Sequence, residues 1–120
     1  MSKKILIIED EQTLVKALSE SLVQKGYEIE TAADGEEGLQ KIKELKPDLV
    51  LLDLILPKMD GFAILQKLRS DDEIKDTKVM VLTNLSDVTE KVIDMGAIDC
   101  LVKSDASIDE IQGKIESKLA

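Results

Sequence analysis

The chain has 120 residues, the length of one ordinary domain, so it builds one core and offers one or two sites. Hydrophobic residues make up 43% and charged residues 34%, a balance that buries a core and excludes a disordered chain. The net charge of −9 repels nucleic acid and anionic membranes, and the absence of histidine together with a single cysteine, Cys100, excludes an internal disulfide, the usual zinc sites and histidine catalysis. Met1-Ser2-Lys3-Lys4 leads straight into a short apolar run, with no signal-peptide pattern and no membrane-length apolar stretch. The expectation is a cytoplasmic protein without membrane or direct nucleic-acid contacts.

The apolar run Ile5–Ile8 reads as a first strand. Leu14, Leu18 and Leu22 then recur at helical spacing until Gly26, a residue suited to the left-handed turn after a helix. A second strand is predicted at Tyr27–Thr31. A second helix follows, with Asp34 as cap, Glu37 at the capping-box position, Leu39, Ile42 and Leu45 on its apolar face, and Pro47 ending it. Leu49–Leu52 is the third strand, and Asp60-Gly61 opens a helix with Phe62, Leu65 and Leu68 on one face. Val79–Leu82 is the fourth strand; Val88, Val92 and Met95 mark a helix before Gly96. The fifth strand is Ile98–Val102. The last helix opens with Ser107 and Glu110 at capping-box spacing and carries Ile108, Ile111, Ile115 and Leu119 on one stripe.

Strands one, three and four are apolar at every position, the pattern of strands covered by helices on both faces of a parallel sheet. Five strand–helix pairs give (βα)5, an α/β architecture too short for the eight units of a barrel, which leaves an open doubly wound five-stranded parallel sheet. In such sheets the functional crevice lies beyond the carboxyl ends of the strands. Four of the five ends are polar: Glu9-Asp10-Glu11, Asp53, Thr83-Asn84 and Lys103-Ser104. Each alone reads as a helix cap or a solvated charge. Right-handed crossovers bring them all to one edge, where gathered carboxylates need a cation among them. Oxygen-only ligands point to a hard ion, Mg²⁺ before others and Mn²⁺ as the substitute. Asp53, at the mid-sheet strand, has the chemistry of a covalent phosphoryl acceptor, with a lysine and a hydroxyl to hold the equatorial oxygens. Glu11 and Asp60 are expected to be structural, Glu11 facing solvent and Asp60 capping the third helix.

Ile7-Ile8-Glu9-Asp10-Glu11, Leu52-Asp53-Leu54-Ile55-Leu56-Pro57-Lys58-Met59-Asp60-Gly61, Leu82-Thr83-Asn84 and Gly96-Ala97-Ile98-Asp99-Cys100-Leu101-Val102-Lys103, in this order, resemble the receiver domain of two-component response regulators. The resemblance covers residues 1–120 as one domain and implies the flavodoxin-like strand order 2-1-3-4-5, as in chemotaxis regulators. It implies that Asp53 accepts a phosphoryl group from a sensor histidine kinase or phosphotransfer protein. It also implies that Glu9, Asp10, Asp53 and the backbone carbonyl of Ile55 hold Mg²⁺, and that Thr83 and Lys103 bind the phosphoryl group. The module would be a signalling switch rather than an enzyme, acting only on its own Asp53. Its output surface, directed at a downstream protein partner, would comprise the fourth helix, fifth strand and fifth helix.

Three positions depart from the family pattern. Cys100 stands where most receivers place an aromatic switch residue, Ser104 where proline is common, and Asn84 where a small residue follows the threonine; Asn84 is expected to crowd or hydrogen-bond the phosphoryl group. Ile55, apolar beside the site, is expected to shield the acyl phosphate. Competing functions are a flavodoxin-type module binding a phosphate-bearing cofactor, an aspartate-nucleophile phosphatase and a degenerate receiver. The first lacks a Ser/Thr/Gly-rich loop after strand one, and the second lacks a second acid two residues after Asp53. The complete set Glu9, Asp10, Asp53, Thr83 and Lys103 argues against the third, and the Cys100 and Ser104 departures keep it open.

Overall fold

The computed structural model describes residues 2–120. It runs β1 (Lys4–Ile8), α1 (Gln12–Gln24), β2 (Glu28–Ala32), α2 (Gly35–Leu45), β3 (Leu49–Leu52), α3 (Gly61–Arg69), β4 (Val79–Thr83), α4 (Thr89–Asp94), β5 (Asp99–Val102), a 3-10 turn (Lys103–Asp105) and α5 (Ile108–Leu119). The five strands form one parallel sheet in the order β2-β1-β3-β4-β5. This is the doubly wound architecture expected from the five strand–helix pairs.

Side chains alternate across a strand, so the continuous apolar runs feed two cores at once. Leu6, Ile8, Val50, Leu52, Val79 and Val81 pack on one face against Ile42 of α2, Ile64, Leu65 and Leu68 of α3 and Val92 of α4. Ile5, Ile7, Leu49, Leu51, Met80 and Leu82 pack on the other against Val15, Leu18 and Leu22 of α1 and Ile111 and Ile115 of α5. Strands β1, β3 and β4, central in the sheet, are buried almost throughout, whereas the edge strands β2 and β5 are only partly covered. The expected apolar stripe of α5 splits accordingly: Ile111 and Ile115 are buried, and Ile108 and Leu119 flank them.

The helix signals act largely as read. Asp34 accepts from the Glu37 N–H and Asp60 from the Ala63 N–H, each at a helix start, and Ser107 with Glu110 completes a capping box. Glu37 reaches one residue further back than a capping box does and accepts from the Ala33 N–H. Helix α2 stops at Leu45 because Lys46 turns left-handed (φ 46°), with Pro47 following. Helix α4 is the departure. It has only six residues, because Val88 precedes its first turn and Met95 closes it, and no side chain caps its start.

Two close approaches fix the β3–α3 loop, the segment that leaves Asp53. A Cβ added at Gly35 would lie 1.8 Å from the Met59 carbonyl oxygen, and one added at Gly61 would lie 2.5 Å from the Asp53 carbonyl oxygen. The Gly35 N–H donates to the Pro57 carbonyl (3.1 Å) and the Gly61 N–H to the Leu54 carbonyl (2.9 Å), so the loop is pinned to the starts of α2 and α3.

Candidate functional site

The carboxyl ends of β1, β3, β4 and β5 bring together four of the polar side chains singled out from sequence. Glu9 follows β1 and is 3% exposed; Asp53 follows β3 and is 4% exposed; Thr83, the last residue of β4, is fully buried. Lys103 opens the 3-10 turn after β5. Strand β5 lies two strands from β3 and three from β1, so only a long side chain spans the distance. The Lys103 Nζ does so, standing 2.5 Å from Glu9 Oε1 and 2.8 Å from Asp53 Oδ2. It is also 3.8 Å from Glu11 Oε2. Glu11, expected to be purely structural, is exposed but lies at the rim of this cluster.

The remaining carboxylate oxygens are held by backbone. Glu9 Oε2 accepts from the Glu11 N–H at 2.9 Å, and Asp53 Oδ1 accepts from the Ile55 N–H at 3.3 Å. Beneath the two acids, Ile7, Leu18, Leu51 and Leu82 close up with no room for a water molecule. Burial therefore raises the Glu9 pKa above the ordinary glutamate value; the charge of Asp53 adds to this, while Lys103 and the Glu11 N–H oppose it. Burial pulls the Lys103 ammonium the other way. Its hydrogen bonds to Asp53 and Glu9 outweigh that pull and raise its pKa, so it stays charged.

Asp10 is exposed at the same edge, and one carboxylate oxygen from each of Glu9, Asp10 and Asp53 lies within 4.8 Å of the others. Three carboxylates against one ammonium leave an excess of negative charge, and the donors are all oxygen. That set fits a hard divalent cation and offers nothing to a thiophilic one.

Thr83 Oγ1 accepts from the Leu85 N–H at 3.3 Å, which leaves its hydroxyl proton uncommitted. Asn84 is exposed, and its Oδ1 accepts from the Ser104 N–H at 2.9 Å, joining the β4–α4 loop to the turn after β5. Asn84 was expected to crowd or hydrogen-bond the phosphoryl group; its carbonyl oxygen is taken by Ser104, and its NH₂ group is left to donate. The Ile55 side chain is 57% exposed beside Asp53. Cys100 is half-buried against the α2–α3–α4 face of the core. Burial pushes its thiol pKa up, opposed by a hydrogen bond with the Thr89 side chain at the start of α4. The contacts that sequence missed, at Glu11, Leu85 and Ser104, are backbone and rim contacts that depend on loop paths.

A flavodoxin-like sheet whose carboxyl edge gathers an aspartate, a buried acid, a hydroxyl and a lysine defines the class of small α/β receiver modules. Residues 5–116 match the model of the response regulator receiver domain, and the chain belongs to that family. It is 37% identical over 118 residues to the DNA-binding dual master transcriptional regulator RpaA of Synechocystis, an alignment covering 97% of this chain and 48% of that protein. It is 39% identical over 105 residues to the alkaline phosphatase synthesis transcriptional regulatory protein PhoP of Bacillus subtilis, covering 86% of this chain and 43% of that one. The chain thus spans about half the length of the curated relatives it matches. Among solved structures it resembles the chemotaxis response regulator CheY4 of Vibrio cholerae, with a TM-score of 0.88, 28% identity and 98% of both chains covered. It also resembles the phosphorylated cyanobacterial phytochrome response regulator RcpA, with a TM-score of 0.81, 28% identity, and 98% of this chain and 91% of that chain covered. Among the described residues no helix is long and apolar enough to cross a membrane.

Proposed function

We propose that this receiver domain is a phospho-acceptor whose acceptor residue is Asp53, with residues 1–120 acting as one switching unit. The observation that carries the reading is the convergence on Asp53: Lys103 at 2.8 Å, Glu9 through the same ammonium, and the buried Thr83 at the end of the adjacent strand. In the transfer, a carboxylate oxygen of Asp53 forms a bond to phosphorus as the bond from phosphorus to the donor breaks. The leaving group is the histidine imidazole of a kinase or phosphotransfer protein, or acetate from acetyl phosphate. Residues 1–120 contain no histidine, so the phosphoryl donor lies outside this domain.

Glu9, Asp10 and Asp53, with the Ile55 carbonyl, would hold Mg²⁺, which when bound neutralises charge on the transferring phosphoryl oxygens. Lys103 supplies a fixed positive charge against Asp53 and Glu9, and its raised pKa keeps it protonated throughout the neutral range. The Thr83 hydroxyl, free to donate at the end of the adjacent strand, is a group able to follow the added charge of about −1.5 to −2. Its movement would pull the β4–α4 loop and so alter the face built from α4, β5 and α5, where a downstream protein would bind. The short, uncapped α4 is the element least secured against such a change.

Incubation with acetyl phosphate and Mg²⁺, followed by intact-mass measurement, tests the reading. The wild type gains one phosphoryl group and Asp53→Asn gains none; a gain in both places the acceptor elsewhere, and a gain in neither removes the phospho-acceptor reading.

A further inference from the structure

The Asn84–Ser104 hydrogen bond joins the two loops that carry Thr83 and Lys103, at the single residue that follows each of them. No other side-chain hydrogen bond among the described residues links these two loops. The partner of Asn84 is a backbone N–H, which can only donate, so the amide atom facing it is the carbonyl oxygen and the NH₂ group is left over. Thr83 Oγ1 is fixed from its own side by the Leu85 N–H. The start of the β4–α4 loop is therefore held at two consecutive side chains, one locally and one across to the β5 turn. The 3-10 turn closes on a long backbone bond, from the Ala106 N–H to the Lys103 carbonyl at 3.4 Å, and the Asn84 side chain anchors it from the neighbouring loop.

We infer that Asn84 is a positioning residue: its Oδ1, by gripping the Ser104 N–H, holds the Lys103 ammonium and the Thr83 hydroxyl in register for the phosphoryl group that enters between them. The inference rests on the phospho-acceptor reading of Asp53 and adds to it a tether that touches neither the acceptor nor the transferred group. Lys103 reaches across two strands on a flexible stem, so a small shift of its backbone is passed directly to a nitrogen that must stand at once near Glu9 and Asp53. The same tether makes the two loops move together once Thr83 follows the new charge.

The test compares initial rates of phosphoryl gain from acetyl phosphate, at saturating Mg²⁺, in the wild type, Asn84→Ala and Ser104→Ala, with thermal midpoints measured alongside. Asn84→Ala removes the acceptor; Ser104→Ala keeps the N–H and removes only the hydroxyl. The expected result is a rate about threefold to tenfold lower in Asn84→Ala, the effect of one ordinary hydrogen bond expressed at the reacting site. Ser104→Ala should keep the wild-type rate, and the midpoint of Asn84→Ala should stay close to wild type, because the bond is exposed. Hydrogen exchange at the Ser104 amide should quicken in Asn84→Ala alone. Equal rates in the wild type and Asn84→Ala overturn the inference and leave the phospho-acceptor reading standing. Equal slowing in both variants also overturns it, by assigning the effect to the Ser104 hydroxyl. Absence of phosphoryl gain in the wild type instead removes the underlying reading, and this inference with it.

Discussion

Replacing Lys103 by methionine isolates the electrostatics of the site. Among the described residues the ammonium is the only cation between two acids that are 3% and 4% exposed, and it makes contacts of 2.5 and 2.8 Å to them. Hydrogen bonds to charged groups contribute about 1.5–3 kcal/mol each, and breaking a fully buried pair costs about 3–5 kcal/mol. Methionine keeps most of the stem's packing and relieves the cost of burying the ammonium, and water can reach the acids from the sheet edge. The net loss is therefore about 2–3 kcal/mol. An unfolding entropy of about 2.1 cal/mol/K per residue over 120 residues is about 0.25 kcal/mol/K, so the midpoint should fall by about 8–12 °C. Far-UV circular dichroism melts at neutral pH with chelator present measure this directly. Saturating Mg²⁺ should restore part of the loss, since a bound cation takes over the neutralising role. Acidification should shrink it as well, because a protonated Glu9 no longer needs the ammonium. A variant melting within about 2 °C of the wild type in chelator would show that solvent already neutralises these acids and that the burial argument is wrong.

Four further outcomes follow from particular contacts. Because the folded-state pKa of Glu9 is raised, its ionised form costs the folded state stability that it does not cost below the ordinary glutamate value, and the cost is complete above the raised value. In urea titrations across that window, the stability of Glu9→Gln minus that of the wild type should therefore rise with pH. Gly61→Ala drives a methyl group against the Asp53 carbonyl oxygen, 2.5 Å away, and should lose about 1–3 kcal/mol in denaturant titrations while slowing phosphoryl gain. Ile55→Asn, which puts a polar group at an exposed position beside Asp53, should shorten the lifetime of the phosphorylated form in a phosphate-release assay; an unchanged rate would dismiss the shielding role. Arg69 donates to the carbonyls of Lys75, Thr77 and Gly96, so Arg69→Leu should lose roughly 2 kcal/mol and speed amide exchange around Gly96.

The parts of this molecule that were legible in the sequence are those set by local chemistry repeated in register. Ile5–Ile8, Leu49–Leu52 and Val79–Leu82 could only be doubly covered strands, and Asp34, Asp60 and Ser107 cap helices because their oxygens reach the first free N–H groups. Glu9, Asp53, Thr83 and Lys103 were legible as a set because parallel topology brings strand ends to one edge whatever the loops do. The strand order was not readable from the runs themselves and came with the family resemblance. Asn84 shows the other limit: its neighbours in sequence are Thr83 and Leu85, but its partner is twenty residues away, and nothing in either segment announces the pairing. Helix α4 was read as longer than it is for a related reason. Val88, Val92 and Met95 have helical spacing, but no cap lies before them, and apolar period alone does not say where a helix starts.

The electrostatics of the site also bear on how the proposed phospho-acceptor would respond to added charge. Burial opposes the charge of Glu9, and Lys103 is shared between two acids, so the charge balance depends on what occupies the edge beside Asp10. A phosphoryl group on Asp53 would replace one carboxylate charge with about two on three oxygens, too much for a single ammonium to satisfy. The Thr83 hydroxyl, at the end of the strand next to β3, is an unspent donor whose oxygen accepts from the Leu85 N–H. The Leu85 N–H uses only a lone pair of that oxygen, so the hydroxyl proton can turn toward added charge while the contact is kept, and the loop leads into α4, a six-residue helix with no side-chain cap at its start. On the phospho-acceptor reading, a change at Asp53 would reach the β4–α4 loop through Thr83 and its bond to the Leu85 N–H.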